Sequence, residues 1–343
     1  MTTRGGANFT SDELALVLSH YQLGTIYSAT ALLGGNRRAP KRIIVSEKGK
    51  FLLKRRPHGK DDVYRVAFAH GIQNHLNKGG YPVASLVPTE KEKSTVLNLN
   101  NHIYELFEYI PGKRYDNSDE SAYNAGKSLG DFHKCINDFP TQLNTLKETY
   151  HDSTAIRGHL KLISKKAIPG NGVSLLSLGE KLTTTYNQAS TNVNQLSYDS
   201  WPEQIIHGDW HPGNMLFENS KVVAVLDFDS IKVAPVMCDL ANGVLHFSIV
   251  GGRPNPSDWP DYLNIEKLKI FLAGYRSEIH LSDDMLNSLP DLMIETMIAE
   301  AVLPVAATGF FGHLSGEDFL GMILRKCLWI LNNKPEILKK IFE

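Results

Sequence analysis

The sequence changes pattern near residue 111, and this change constrains the fold more than any other feature. Before that point, short apolar runs alternate with turn signals. They predict β-strands near residues 29–33, 42–45, 51–54, 94–98 and 102–110. One helix is expected near residues 63–77, because its apolar pattern ends at a Lys-Gly-Gly turn followed by proline. The first segment therefore predicts a small lobe, residues 1–111, built on five antiparallel strands.

Beyond residue 111 the apolar residues mostly recur at helical spacing. Helices are predicted near residues 119–137, 265–276, 284–307 and 318–332, with two more expected within residues 140–200. Strands return near residues 204–206 and in a hairpin over residues 215–228. The whole pattern predicts an α+β fold in which the larger lobe, residues 112–343, is mainly helical.

Composition narrows the functional classes. The chain has 343 residues, 42% of them hydrophobic, and a formal net charge of −1. This balance is typical of a soluble globular protein and gives no electrostatic reason to expect nucleic acid or a membrane as partner. The three cysteines lie far apart, which favours a reducing compartment. Residues 1–8 lack the apolar core of a signal peptide, so we expect a cytoplasmic protein. We expect it to be a monomer or a homodimer.

One stretch carries polar groups at a spacing that suits phosphoryl transfer: His-Gly-Asp-Trp-His-Pro-Gly-Asn, residues 207–214. Asp209 is followed by Asn214, and Asp227 comes after the next apolar strand, so a hairpin would bring Asn214 and Asp227 face to face. One carboxylate must orient the acceptor hydroxyl, while a second carboxylate and an amide oxygen must hold Mg²⁺ on the triphosphate of ATP. We predict Asp209 as the base and Asn214 and Asp227 as metal ligands. Considered one at a time, each of these residues could also be explained as part of a turn or as a helix cap.

HGDWHPGN followed by LDFD resembles the aminoglycoside phosphotransferase, choline kinase and type II homoserine kinase family. The likeness extends over about residues 20–335. It implies a two-lobed protein-kinase-like fold, ATP and Mg²⁺ as cofactors, and a small-molecule hydroxyl acceptor. Homoserine-, choline- and aminoglycoside-like acceptors all fit the resemblance. At the catalytic site it implies that His207 shapes the loop and that Asp209 is the catalytic aspartate.

The resemblance also implies a lysine that contacts the phosphates from the small lobe. Lys54 is the matching position, and Arg55 and Arg56 are ambiguous neighbours. Residues 37–60 hold ten Lys or Arg and one acid, which concentrates positive charge where a triphosphate is expected. In this family the lysine is paired with a glutamate on the first small-lobe helix. The helix here has no glutamate, so His70 or Gln73 is expected to replace it.

Two backbone segments are predicted to contact the nucleotide. Gly35 and Asn36 lie in a turn between two strands, where amide groups can cover phosphate, although an ordinary hairpin turn explains them equally well. The resemblance implies that backbone groups of Glu108, Tyr109 and Ile110 bind adenine where the strand leaves the small lobe.

The segment after the Leu-Asp-Phe-Asp motif, residues 226–229, limits the size of the acceptor. Nine residues separate Asp229 from Asp239, too few for the activation loop of a protein kinase. We therefore favour a small acceptor, and Asp239 is expected either to brace the site or to cap a helix. The aromatic candidates for acceptor contact are Trp210, His246, Trp259 and Tyr262, each of which packing would also explain. A Ser/Thr protein kinase of the same fold and a nucleotide-binding pseudokinase remain the alternatives.

Overall fold

The computed structural model describes residues 8–32, 39–140, 149–165 and 172–343. The chain forms two compact units, and the first runs to Arg114 and also takes in Met215–Glu218 and Val222–Asp229. The second comprises Tyr115–Asn214, Asn219–Lys221 and Ser230–Glu343. The chain thus returns to its first unit after the 207–214 motif. The domain boundary expected at residue 111 stays a prediction.

The first unit is built on an antiparallel sheet in the order β1-β2-β3-β5-β4. Its strands are β1 (Ile26–Ala31), β2 (Lys41–Ser46), β3 (Gly49–Arg55), β4 (Leu97–Leu99) and β5 (His102–Glu108). The predicted five-stranded antiparallel sheet is confirmed. β4 starts later than expected because the Ser94 hydroxyl bonds both backbone groups of Val96, at 2.8 and 3.1 Å, and this turn competes with the strand.

Two helices accompany the sheet: one precedes β1 in the sequence, and the other lies between β3 and β4. α1 (Ser11–Leu18) begins with a capping box in which Thr10 and Glu13 bond each other's backbone amides. α2 (Val63–Lys78) begins at Asp62, whose side chain accepts a hydrogen bond from the Arg65 amide. The core buries apolar side chains from the N-terminal segment, α1 and the strands: Phe9, Val17, Tyr21, Leu23, Ile44, Phe51, Leu53, Leu97, Tyr104 and Leu106.

A short hairpin contributes most of its residues to the first unit. It consists of β7 (Met215–Glu218) and β8 (Lys221–Val225). Isolated bridges connect Lys113 with Phe217 and Val83 with Val225. These bridges tie the returning chain to the two segments of the first unit that it meets.

The second unit is mainly helical, as predicted. Its helices are α3 (Asp119–Ile136), α4 (Thr154–Lys165), α5 (Gly172–Asn194), α6 (Val236–Ser248), α7 (Ile265–Arg276), α8 (Asp283–Thr308), α9 (Gly316–Asn332) and α10 (Lys334–Phe342). Two small sheets accompany them: β6 (Glu203–Ile206) with β9 (Lys232–Pro235), and β10 (Phe310–Phe311) with β11 (Leu314–Ser315). Within the described ranges, no helix is long and apolar enough to cross a membrane.

Candidate active site

The loop of residues 207–214, which we call the Asp209 loop, lies in the second unit directly after β6. Ile205 and Ile206 are buried, so the strand anchors the start of the loop. Gly208 has φ +76°, and a Cβ there would lie 2.3 Å from the carbonyl oxygen of Ser230. Only glycine fits this conformation and this close backbone approach, which explains the second residue of the motif.

Asp239, in the first turn of α6, braces the loop from within. Its Oδ2 accepts a hydrogen bond from the His207 amide at 2.6 Å, and its Oδ1 accepts one from the Gly208 amide at 2.7 Å. The side chain is fully buried, and His133 Nε2 lies 3.2 Å from Oδ2. Burial raises the pKa of Asp239, but His133, His207 and the Gly208 amide outweigh it, so the net pKa is lowered. An ionised carboxylate therefore fixes two consecutive peptides.

The imidazole of His207 is buried in the core of the second unit. Its ring packs edge-on against Trp210 at 5.4 Å between centroids and against Phe132 at 6.1 Å. Trp210 is likewise fully buried, which makes it a core residue rather than an acceptor contact. His207 lies where a residue that shapes the loop would lie, and its catalytic role stays a prediction.

Asp209 reaches the surface of the second unit while its geometry is fixed by Asn214. The Nδ2 of Asn214 donates to the Asp209 carbonyl at 3.0 Å and to Asp209 Oδ2 at 2.9 Å. The carboxylate is 37% exposed, and His211 Nε2 lies 3.6 Å away. Burial raises the pKa of Asp209, but His211, His207 and Asn214 prevail and lower it to about 2. An ionised, accessible carboxylate of fixed orientation can accept a hydrogen bond from a hydroxyl substrate.

The same contacts define what Asn214 offers to a cation. Its amide nitrogen is committed to Asp209, and the side chain is 8% exposed. The carbonyl oxygen Oδ1 is the remaining polar atom of the side chain. Hard oxygen donors of this kind suit Mg²⁺, so the donor chemistry of Asn214 fits the predicted metal.

Asp227 follows β8 in the first unit and is exposed. Its φ is +61°, the left-handed region that L-residues other than asparagine and aspartate seldom adopt. An exposed carboxylate fits a hard cation, and because Asn214 belongs to the other unit, their pairing on one metal stays a prediction.

Lys54 belongs to a buried charge group in the first unit, which we call the Lys54 cluster: Lys54, Arg56, His70, Glu105 and Asp229. Lys54 Nζ lies 3.7 Å from Glu105 Oε2 and 3.7 Å from Asp229 Oδ2. Arg56 makes much shorter contacts, at 2.9 Å to Glu105 and 2.7 Å to Asp229. Because the Arg56 guanidinium is held tightly by both carboxylates, Lys54 is the less tightly paired cation.

Arg55 lies outside this cluster because side chains alternate along β3. Its guanidinium contacts Glu13 of α1 at 2.5 Å, and the Tyr104 hydroxyl donates to the same carboxylate at 2.8 Å. The three consecutive cations are therefore distinct. Arg55 joins α1 to the sheet, Arg56 is fixed by two acids, and Lys54 has the longest contacts.

Glu105 is the residue that sequence reasoning missed. It is 1% exposed on β5 and pairs in register with Lys54 across the strands. Its Oε1 lies 2.8 Å from His70 Nε2, and His70 Nδ1 lies 2.9 Å from the Thr95 hydroxyl. Burial raises the pKa of Glu105, but Lys54, His70 and Arg56 outweigh it and hold the pKa well below its usual range. A carboxylate therefore faces Lys54 although α2 carries no glutamate.

The predicted nucleotide-binding backbone is defined only in part. Gly35 and Asn36 lie outside the described residues. The amide of Glu108 donates to the Ser85 carbonyl, and the amide of Tyr109 donates to the Lys50 carbonyl, both at 2.9 Å. These two amides are used within the first unit, so an adenine-binding donor would have to come from Ile110.

A second polar group lies near Asp209 within the helical unit. His246 Nε2 is 2.9 Å from Glu300 Oε2, and Asn242 Nδ2 donates to Glu300 Oε1 at 2.5 Å. The His246 ring lies 5.7 Å from that of His211 between centroids. Burial lowers the pKa of His246, but Glu300 and Asp209 raise it by a larger amount. A partly buried carboxylate and imidazole pair thus lies near the predicted base.

Comparison with known protein families shows which family the chain belongs to. The profile of the phosphotransferase enzyme family, APH, matches residues 29–263. The chain belongs to this family and is a phosphotransferase with a hydroxyl acceptor. The family resemblance and the protein-kinase-like fold predicted from the sequence are confirmed. No curated protein matches the chain.

Solved structures share the fold at low sequence identity. An aminopropanol kinase associated with a microcompartment has a TM-score of 0.70 at 14% identity, over 96% of this chain and 98% of that one. Amicoumacin kinase hAmiN, in complex with AMP-PNP, Ca²⁺ and Ami, has 0.66 at 17%, over 95% and 94%. Choline kinase from Cryptosporidium parvum Iowa II has 0.56 at 13%, over 91% and 90%.

Proposed function

We propose that the protein transfers the γ-phosphate of ATP to a hydroxyl group of a small molecule. The observation that carries the proposal is the Asp209 carboxylate, which is ionised, accessible and oriented by Asn214 on a loop that Asp239 braces. The phosphotransferase family match supports it, and so does the similarity to a kinase solved with AMP-PNP and Ca²⁺. Phosphoryl transfer requires mainly positioning and electrostatic stabilisation, which a rigid loop of this kind provides.

In the proposed mechanism, Asp209 accepts a hydrogen bond from the acceptor hydroxyl. It takes the proton as the acceptor oxygen bonds to the γ-phosphorus and the bond between that phosphorus and ADP breaks, so that ADP leaves. A carboxylate with a pKa of about 2 is a weak base, so its main contribution is to align the hydroxyl until proton transfer becomes favourable. Lys54 stabilises the phosphate charge from β3. Asn214 and Asp227 would hold Mg²⁺, which offsets the charge of the triphosphate when bound.

We infer an acceptor of metabolite size, of the homoserine-, choline- or aminoglycoside-like type. β9 begins at Lys232 and α6 at Val236, so the chain after Asp229 is taken up by regular structure. That arrangement offers no activation segment and disfavours the Ser/Thr protein kinase. Glu300 and His246 are our candidates for acceptor contact, because they bond each other in the same unit and His246 lies within electrostatic reach of Asp209. The names of the aminopropanol kinase and the choline kinase support an amino alcohol.

The Lys54 cluster argues against a pseudokinase. That alternative rested on the absence of a glutamate from α2, and Glu105 supplies a carboxylate to Lys54 from β5 instead. Loss of a helix glutamate therefore does not imply loss of the pair.

The test is ADP release in the presence of Mg²⁺ over a panel of hydroxylated metabolites, with wild type and Asp209→Asn. We expect the substitution to lower kcat by about 10²–10⁴-fold, the range for a positioned acid–base group, while ATP affinity changes little. Asp199→Asn is the matched control, because Asp199 is an exposed aspartate of the same unit. Equal turnover in Asp209→Asn and wild type would remove Asp209 from the mechanism.

A separate experiment tests the assignment of Asp227 as a metal ligand. Asp227→Ala is expected to abolish the Mg²⁺-dependent part of ATP binding and to leave metal-free binding unchanged. Titration of ATP into each protein with and without Mg²⁺ measures both quantities. Identical Mg²⁺ dependence in Asp227→Ala and wild type would show that Asp227 is not a ligand.

A further inference from the structure

We propose that Glu105, held in place by His70, is the positioning residue that orients Lys54 toward the triphosphate. The inference rests on the proposed function and adds to it a residue on β5 and a second one on α2. It assigns to a strand glutamate the task that the sequence led us to expect of His70 or Gln73 on α2.

The register of the sheet brings the pair together. Lys54 of β3 and Glu105 of β5 are direct cross-strand partners, so their side chains leave the sheet on the same face. Glu105 is 1% exposed, whereas the Lys54 side chain is 14% exposed and retains access to solvent. The carboxylate is thus a fixed element of the interior, and the ammonium is the end that a ligand can reach.

The distances show which contacts are rigid and which can yield. The Nη2 of Arg56 donates to Glu105 Oε1 at 2.9 Å, and its Nε forms an ion pair with Glu105 Oε2 at 2.9 Å. The Nη1 of Arg56 donates to the Lys60 carbonyl at 3.0 Å. Glu105 therefore keeps a charge partner when Lys54 moves. Lys54 stands 3.7 Å from each of two carboxylates, which is longer than a charge-assisted hydrogen bond. A phosphate can compete for this ammonium without leaving a buried carboxylate unpaired.

His70 explains how one carboxylate can serve two cations and still keep its orientation. The Nε2 of His70 contacts the Glu105 carboxylate, and its Nδ1 contacts the Thr95 hydroxyl. A neutral imidazole satisfies both contacts when Nε2 carries the proton and Nδ1 accepts from the hydroxyl. The side chain is 2% exposed, so these contacts exclude water. α2 thus acts on Lys54 indirectly, through Glu105.

The test separates positioning from folding by using substitutions matched in size. Glu105→Gln keeps the shape and removes the charge, and Glu13→Gln does the same to the carboxylate that pairs with Arg55 on the opposite face of β3. We expect Glu105→Gln to lower kcat/KM for ATP about tenfold, within the range for side chains that act through one another, and Glu13→Gln to leave it unchanged. Adenosine affinity, which involves no phosphate, should stay the same in both variants.

A double-mutant cycle with Lys54→Met asks whether Glu105 acts through Lys54. In the Lys54→Met background, Glu105→Gln should have no further effect on kcat/KM, because the group that it positions is gone. Multiplicative losses in the double variant would indicate two independent roles and overturn the proposal.

Two substitutions at His70 provide a measurement that does not depend on Glu105 variants folding. His70→Gln places an amide nitrogen near the position of Nε2 and should retain most of the activity. His70→Asn reaches only the Thr95 side and should reproduce the Glu105→Gln loss. Equal kinetics for the two His70 variants, or for Glu105→Gln and Glu13→Gln, would overturn the proposal. If wild type itself shows neither ATP binding nor turnover, the proposed function fails together with this inference. Normal wild-type turnover with unaltered Glu105→Gln refutes the inference alone.

Discussion

Replacement of Asp239 by asparagine tests how much the catalytic loop depends on a single buried charge. The carboxylate of Asp239 accepts two backbone hydrogen bonds, at 2.6 and 2.7 Å, from His207 and Gly208. An asparagine keeps the oxygen that faces one amide and turns an NH₂ group toward the other. One hydrogen bond is then lost, the second loses its charge, and two donors face each other.

The magnitude follows from these losses. A hydrogen bond to a charged group contributes about 1.5–3 kcal/mol, so the variant should lose about 2–4 kcal/mol of unfolding free energy. For a unit of about 200 residues this lowers Tm by about 4–16 °C. Because the folded pKa is below the unfolded value of about 3.9, the contribution is present at neutral pH and is lost as pH falls through the folded pKa. Displacement of Asp209 should lower kcat by about tenfold to a hundredfold.

Calorimetry and the ADP-release assay measure the two effects separately. Asp284→Asn is the control, because Asp284 also lies in the first turn of a helix but is exposed. It should change Tm and kcat only slightly. The bracing role would be refuted if Asp239→Asn behaved like this control in both measurements. A lower Tm with unchanged kcat would confine Asp239 to stability.

Two further predictions concern the same unit. Gly208→Ala places a Cβ 2.3 Å from the Ser230 carbonyl oxygen. We expect it to lower kcat at least as much as Asp239→Asn does. A folded variant with wild-type kcat would show that the loop relaxes freely. Glu295 and Asn194, each 2.8 Å from a ring nitrogen, outweigh the lowering effect of burial and raise the pKa of His151. This stabilisation is complete below the unfolded pKa of about 6.5 and is lost as pH rises through the folded pKa. His151→Gln should therefore lower Tm more at pH 6 than at pH 9, and equal differences at the two pH values would contradict the assignment.

Local signals allowed the sequence to predict most elements. The expected helix over residues 265–276 coincides with α7, because Asn264 accepts a hydrogen bond from the Lys267 amide and defines its first turn. The capping box of Thr10 and Glu13 defines the start of α1 in the same way. Such signals lie within a few residues of the feature that they define, so they can be read without knowledge of the fold.

What the sequence could not provide was partner choice between distant segments. Glu105 looked like one residue of an ordinary strand, since its pairing with Lys54 depends on the register of strands separated by α2 and β4. β9 was missed because its four residues are defined by their pairing with β6 and not by a local pattern. His70 was expected near Lys54, and the structure places it against Glu105. Alternation along β3 could have separated Arg55 from its neighbours at the outset.

The return of the chain to its first unit has a consequence for synthesis on the ribosome. The first unit has its sheet strands by Glu108 but lacks Met215–Glu218 and Val222–Asp229 until residue 229 has been made. At about 5–20 residues per second, the nascent sheet waits on the order of ten seconds for these segments. During this interval the bridge partners Val83 and Lys113 lack Val225 and Phe217. A gene fragment that stops at Arg114 would therefore encode an incomplete unit.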